Sequence, residues 1–77
     1  MTLYIGARYR HFKGNEYKTL HLAYHSETEE PLVVYQALYG ERKIWARPLR
    51  SFCEDVRENV PRFLYLEGGE PVEMTIP

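Results

Sequence analysis

The chain has 77 residues, a net charge of −1, 44% hydrophobic and 27% charged residues, and a single cysteine. A chain this short holds one core and excludes a second domain, and Cys53 alone cannot close an intramolecular disulfide. No run of about 18 apolar residues is present and no secretory pattern follows Met1. The expectation is therefore one cytoplasmic domain over residues 1–77 with no membrane partner.

Charge falls in blocks: +3 over residues 1–25, −4 over 26–41, +4 over 42–50 and −4 over 51–77. The plain reading is a set of solvated faces; the alternative is a bipolar surface that steers a charged partner. Along the chain, Gly6 to Lys13 alternates loosely, with Ala7, Tyr9 and His11 on one parity and Arg8, Arg10 and Phe12 on the other, and predicts a first strand. Gly14-Asn15-Glu16 is a turn signal. Tyr17 to His25 then alternates, with Leu20, Leu22 and Tyr24 on one face and Thr19, His21, Ala23 and His25 on the other. Ser26 to Glu30 holds no apolar residue and predicts an exposed acidic loop. Pro31 to Gly40 is the longest uncharged run and the densest in β-branched and aromatic residues, so it predicts the central strand. Both of its parities are apolar, which calls for cover on both faces.

Glu41-Arg42-Lys43 makes a hairpin connection to a strand Ile44-Trp45-Ala46-Arg47, ended by Pro48. Leu49, Phe52, Cys53 and Val56 have the spacing of one short helical or 3₁₀ turn. Val60 to Leu66 returns to strand composition before Gly68-Gly69. Together these elements predict an all-β fold, a small five-stranded SH3-like antiparallel barrel with one short helical turn before its last strand. Its core would span residues 6–66, with 67–77 a tail or edge strand. An open α+β sheet is the alternative.

The order Tyr9-Arg10-His11-Phe12-Lys13-Gly14, His25-Ser26-Glu27-Thr28, Val33-Val34-Tyr35, Leu38-Tyr39-Gly40, Trp45-Ala46-Arg47-Pro48, Phe52 and Arg62-Phe63 resembles the bacterial domain-of-unknown-function family 1653. The resemblance spans roughly residues 6 to 64. It implies the SH3-like barrel and carries no activity with it.

No catalytic constellation is present, and no cofactor or metal is expected. On a strand rising about 3.3 Å per residue, His21 and His25 stand roughly 13 Å apart, too far to share a zinc. Cys53, beside Glu54 and Asp55, reads as a buried inert thiol. The run His25-Ser26-Glu27-Thr28 is chemically dense: it is either a capped turn or a binding element, with the Glu27 side chain hydrogen-bonding His25. Trp45 and Arg47 share a strand face. Trp45 is expected to be exposed or half-exposed, with Ile44 and Ala46 facing the interior. The leading expectation is a non-enzymatic module binding a partner protein or small ligand through Tyr9, His11, Lys13, His25, Ser26, Glu27, Thr28, Tyr35, Trp45 and Arg47. Two rivals stand beside it. One is a nucleic-acid binder, RNA above all, using the +3 and +4 blocks with their interleaved rings. The other is an accessory subunit of an enzyme using the His25 to Thr28 run.

Overall fold

The computed structural model describes residues 1–74, whose first strand begins earlier and whose last strand ends later than the alternation alone indicates. Strand β1 is Thr2–His11, β2 Glu16–Tyr24, β3 Pro31–Ala37 and β4 Ile44–Pro48. A single turn of helix, α1 (Leu49–Cys53), leads into the short pair β5 (Asp55–Arg57) and β6 (Val60–Pro61), and β7 (Phe63–Glu73) closes the chain. The fold is all-β apart from α1. Five strands form one antiparallel sheet in the order β4-β3-β2-β1-β7.

The sheet is not closed: β4 and β7 are its two edges and share no ladder. The Pro31–Gly40 run therefore supplies the strand next to an edge, while β2 lies at the centre. The stretch also has one buried face rather than two. Val33, Tyr35 and Ala37 are buried, whereas Leu32, Val34 and Gln36 are half-buried, because α1 packs over one side only.

Strand β1 pairs with β7 along its whole length but with β2 only near its end. Its last residues pair with β2, Arg8 to Arg10 against Lys18 to Glu16, but the ladder with β2 does not continue before Arg8. The N-terminal half runs against β7 instead, Thr2 opposite Glu73 through Ala7 opposite Gly68. Gly69 permits the close approach of β7 to β1: its φ is +77°, and a Cβ there would lie 2.6 Å from the Ile5 carbonyl oxygen. Thr19 fills the split between β1 and β2. Its hydroxyl donates to the Tyr4 carbonyl at 2.6 Å and accepts from the Ala7 N–H at 3.1 Å. A bulge between Thr19 and His21 then shifts the parity of β2. As a result Thr19 is buried and Leu22 packs on the core while His21 is exposed, which overturns the uniform alternation expected from Tyr17 to His25.

The core is aromatic. Phe52 of α1 stacks on Phe63 with centroids 4.1 Å apart, and Tyr9 and Tyr35 meet these rings edge-on. Tyr9, expected on a binding surface, is instead buried. Its hydroxyl accepts the Tyr4 N–H at 3.0 Å, and burial pushes its pKa up. The helical turn stops at Cys53, with Val56 already in β5. Residues 67–73 are edge strand, tied at the end by the Met1 ammonium on Glu73 at 2.8 Å. Thr75 to Pro77 lie outside the described residues.

Candidate functional site: an aromatic and basic cleft at the β4 edge

In the β3–β4 hairpin Tyr35 lies directly opposite Trp45 and Val33 opposite Arg47. Directly opposed residues project to the same side of a sheet, so Trp45 and Arg47 share the core-facing side with Val33 and Tyr35. Among the described residues no strand lies beyond β4, and Trp45 remains 49% exposed. Ile44, 59% exposed, and Ala46 project to the opposite side, open to solvent. They do not line an interior, as the alternation had suggested, because the sheet carries its packed layer on one face.

The turn joining the strands is held by the Ala37 N–H on the Lys43 carbonyl (2.9 Å), the Arg42 N–H on the Tyr39 carbonyl (3.1 Å) and the Gln36 amide on the Arg42 carbonyl (3.0 Å). Gly40 and Arg42 both adopt positive φ. This turn presents Tyr39, 45% exposed, whose hydroxyl is 2.7 Å from that of Tyr17. Burial and this hydroxyl pair push the Tyr17 phenol up to about 12, so it stays neutral near pH 7. Between the turn and the strand lies a cleft of about 340 Å³, walled by Tyr39 and Trp45, floored by Ala37 and rimmed by Glu41, Arg42 and Lys43.

Arg47 does not line this cleft; it lies two residues beyond Trp45 on the same side of β4. Its Nε donates to the Tyr35 hydroxyl (3.2 Å), its Nη1 donates to Ser51 Oγ on α1 (3.0 Å), and its guanidinium carbon lies 5.6 Å from the Phe63 ring centroid. Arg8, Arg10 and Arg62 each reach a carboxylate, at 2.6, 3.3 and 3.1 Å, and Arg47 forms no ion pair among the described residues. Nearby His11 registers the positive surroundings. Its ring is 5.0 Å from Phe63, and burial first, then the charges of Arg47, Arg62 and Lys13, hold its pKa below the ordinary value.

The expected site residues divide. Tyr35, Trp45 and Arg47 converge, with His11 half-buried behind them. The Tyr35 ring is core, and only its hydroxyl reaches the site, through Arg47. Lys13 extends its ammonium over Phe12, 5.8 Å from the ring centroid, and its N–H donates to His11 Nδ1 at 3.2 Å. His25 to Thr28 does not join the face. It forms a turn at the Tyr24–Pro31 end of the hairpin, six residues along β3 from Ala37, or roughly 20 Å. There His25 Nδ1 accepts the backbone N–H groups of Glu27 (3.1 Å) and Thr28 (3.3 Å), and Thr28 Oγ1 accepts that of Glu30. The Glu27 side chain is not the partner of His25, and exposed Ser26 belongs to the same turn.

Ser51 and Phe63 were not expected here; the placement of α1 and the start of β7 bring them to Arg47. Cys53 is half-buried rather than buried, and burial raises its thiol pKa. It lines a separate apolar groove of about 280 Å³ with Leu3, Tyr4, Phe63 and Tyr65.

The family described as Protein of unknown function (DUF1653) matches residues 7–65, which takes in the hairpin, α1 and the whole cleft. The chain belongs to the DUF1653 family. It is similar to a DUF1653 protein from Bordetella bronchiseptica whose crystal structure is known: 38% identity, a TM-score of 0.73, and coverage of 87% of this chain and 92% of that one. No curated protein matches. The DUF1653 segment excludes Thr2 to Gly6 and everything after Tyr65, so the split of β1 toward β7 is built partly outside it.

Proposed function

We propose that this domain is a non-catalytic binding module of SH3-like design, curled but open between β4 and β7, that takes a protein or small ligand presenting an anion beside a flat or apolar group. The observation that carries the reading is Arg47. A half-buried guanidinium loses hydration, and that loss is ordinarily offset by a carboxylate. Here two of its five donors are met by neutral hydroxyls, and no carboxylate among the described residues pairs with it. An arriving carboxylate or phosphate would supply the missing counter-charge through the guanidinium fork, while Trp45 and Tyr39 offer ring faces next to it.

Trp45 is the chain's single tryptophan, so its fluorescence reports on this cleft alone. Titration with phenyl phosphate, phenol and inorganic phosphate is the test. Phenyl phosphate should bind best, and Arg47→Gln should weaken it at least tenfold, about 1.4 kcal/mol. Equal binding of phenol and phenyl phosphate, or indifference to Arg47→Gln, would refute the reading.

A second reading, single-stranded RNA, draws on exposed Trp45 and Tyr39 standing beside Arg42 and Lys43. It requires binding that falls steeply with salt.

A further inference from the structure

The β4 edge presents unpaired backbone groups next to the cleft, and their direction follows from the register. The Ala37 N–H donates to the Lys43 carbonyl, so Ala37 and Lys43 are a hydrogen-bonded pair. In an antiparallel ladder such pairs recur at every second residue. Tyr35 with Trp45 and Val33 with Arg47 are therefore the next two. The intervening residues of β4, Ile44 and Ala46, turn their N–H and C=O away from β3. No other strand lies on that side among the described residues, and no bulge interrupts the β3–β4 register. An edge of this kind is a template for another strand.

Charge then selects the strand. Residues 42–50 contain Arg42, Lys43, Arg47 and Arg50 and no acidic residue; Glu41 just before them lies 3.9 Å from the Lys43 ammonium, in an exposed pair that a partner carboxylate can replace, and Arg47 has no such pair among the described residues. On the core-facing side of the edge, Lys43 and Arg47 flank Trp45 at successive alternate positions. On the other side Ile44 and Ala46 are exposed and apolar. A symmetric pairing of β4 with β4 of a second copy would set Lys43 and Arg47 against like charges.

We infer that β4 is a docking edge to which an extended acidic segment of a partner protein adds as a sixth strand. Its side chains alternate: acidic residues on the Lys43 and Arg47 side, apolar or β-branched residues over Ile44 and Ala46. The inference builds on the binding reading above, in that the acidic side chains are the anions Arg47 meets. The edge itself is a separate observation.

The test is selection from a random twelve-residue peptide library against the whole chain, followed by titration of an enriched peptide into the ¹⁵N-labelled protein. Enriched peptides should alternate Asp or Glu with β-forming apolar residues, and binding should slow exchange of the Ile44 and Ala46 amides at least tenfold. N-methylating the peptide at every second amide should abolish binding in one phase and spare it in the other. Ala46→Pro, which removes an outward N–H and leaves the inward ladder, should cost at least tenfold in affinity. Because the N-methyl series leaves the protein untouched, it decides the matter even if the proline variant does not fold.

The inference is overturned if no acidic pattern is enriched, if bound peptides leave Ile44 and Ala46 unprotected, if only single-stranded RNA binds, or if the edge is filled by β7 of a second copy. Loss of phenyl phosphate on Arg47→Gln without edge protection leaves the anion site standing and removes the added strand. Edge protection with no response to Arg47→Gln does the reverse.

Discussion

Thr19→Val isolates one hydroxyl and asks whether it closes the split between β1 and β2. Thr19 is the only buried polar side chain among the described residues. Its loss leaves the Ala7 N–H without its hydroxyl acceptor, and the Tyr4 carbonyl without its donor, where the β1–β2 ladder has already ended. An orphaned buried donor or acceptor costs about 1–3 kcal/mol. The Tyr4 group is only part-buried and is discounted, and the added methyl returns about 0.8 kcal/mol. A net loss of about 2 kcal/mol results, against a total of about 5 for a domain of this size. In urea the midpoint should fall by about two fifths at constant slope, and the Ala7 amide should exchange faster. Thr19→Ser keeps the hydroxyl and should cost about 1 kcal/mol, the price of a methyl group. A valine variant within about 0.5 kcal/mol of wild type, or one more stable than the serine variant, would show that the hydroxyl does not bridge the split.

Trp45→Ala should cost under about 1 kcal/mol in denaturant unfolding followed by circular dichroism, whereas Phe52→Ala, which empties the stacked core position against Phe63, should cost about 3–5 kcal/mol. Gly69→Ala should destabilise far more than Gly40→Ala in thermal melts: both glycines have positive φ, but only at Gly69 would the Cβ meet backbone at 2.6 Å. For His11 the folded pKa lies below the ordinary 6.5, through burial first and neighbouring cations second. The unfolded chain then binds more protons as pH drops, so this contribution to stability is complete above about 6.5 and lost as pH falls through the folded pKa. His11→Gln should flatten that acid limb, and a ring-proton NMR midpoint at or above 6.5 would contradict it.

Strand content and the hairpins were legible because alternation and turn residues act locally. The spacing of Leu49 and Phe52 already indicates the turn of helix that buries both. What failed was long-range. Pro31–Gly40 looked central because two apolar parities suggest two covered faces, yet it lies one strand from an edge because β7 pairs with β1 and not with β4. Alternation could not reveal the bulge after Thr19, since an extra residue reverses every later side chain while leaving composition unchanged. Trp45 and Arg47 were readable as a pair two residues apart on an edge-like segment. The turn from His25 to Thr28 attracted notice for its chemistry, but its ring nitrogen and hydroxyl are taken by the amides of their own loop.

The open sheet ties these points to the candidate site. A closed barrel would pair β4 with β7 and use the outward groups of Ile44 and Ala46, leaving no edge to offer. In this chain β7 pairs with β1 and not with β4. Phe63 starts β7 in the aromatic core, stacked on Phe52, and the strand then leaves along β1 for its whole length. Helix α1 inserts Leu49 and Phe52 into the core beside β3 and β4. The same helix supplies Ser51, which fixes one end of Arg47 while Tyr35 fixes the other. The helix that packs beside β3 and β4 thus also aims the guanidinium, so Ser51→Ala should cost only about 0.5–1.5 kcal/mol of stability, the net worth of one hydrogen bond, yet weaken phenyl phosphate binding several-fold in the Trp45 titration. Unchanged affinity would mean that Tyr35 and the Phe63 ring suffice to hold Arg47 in place.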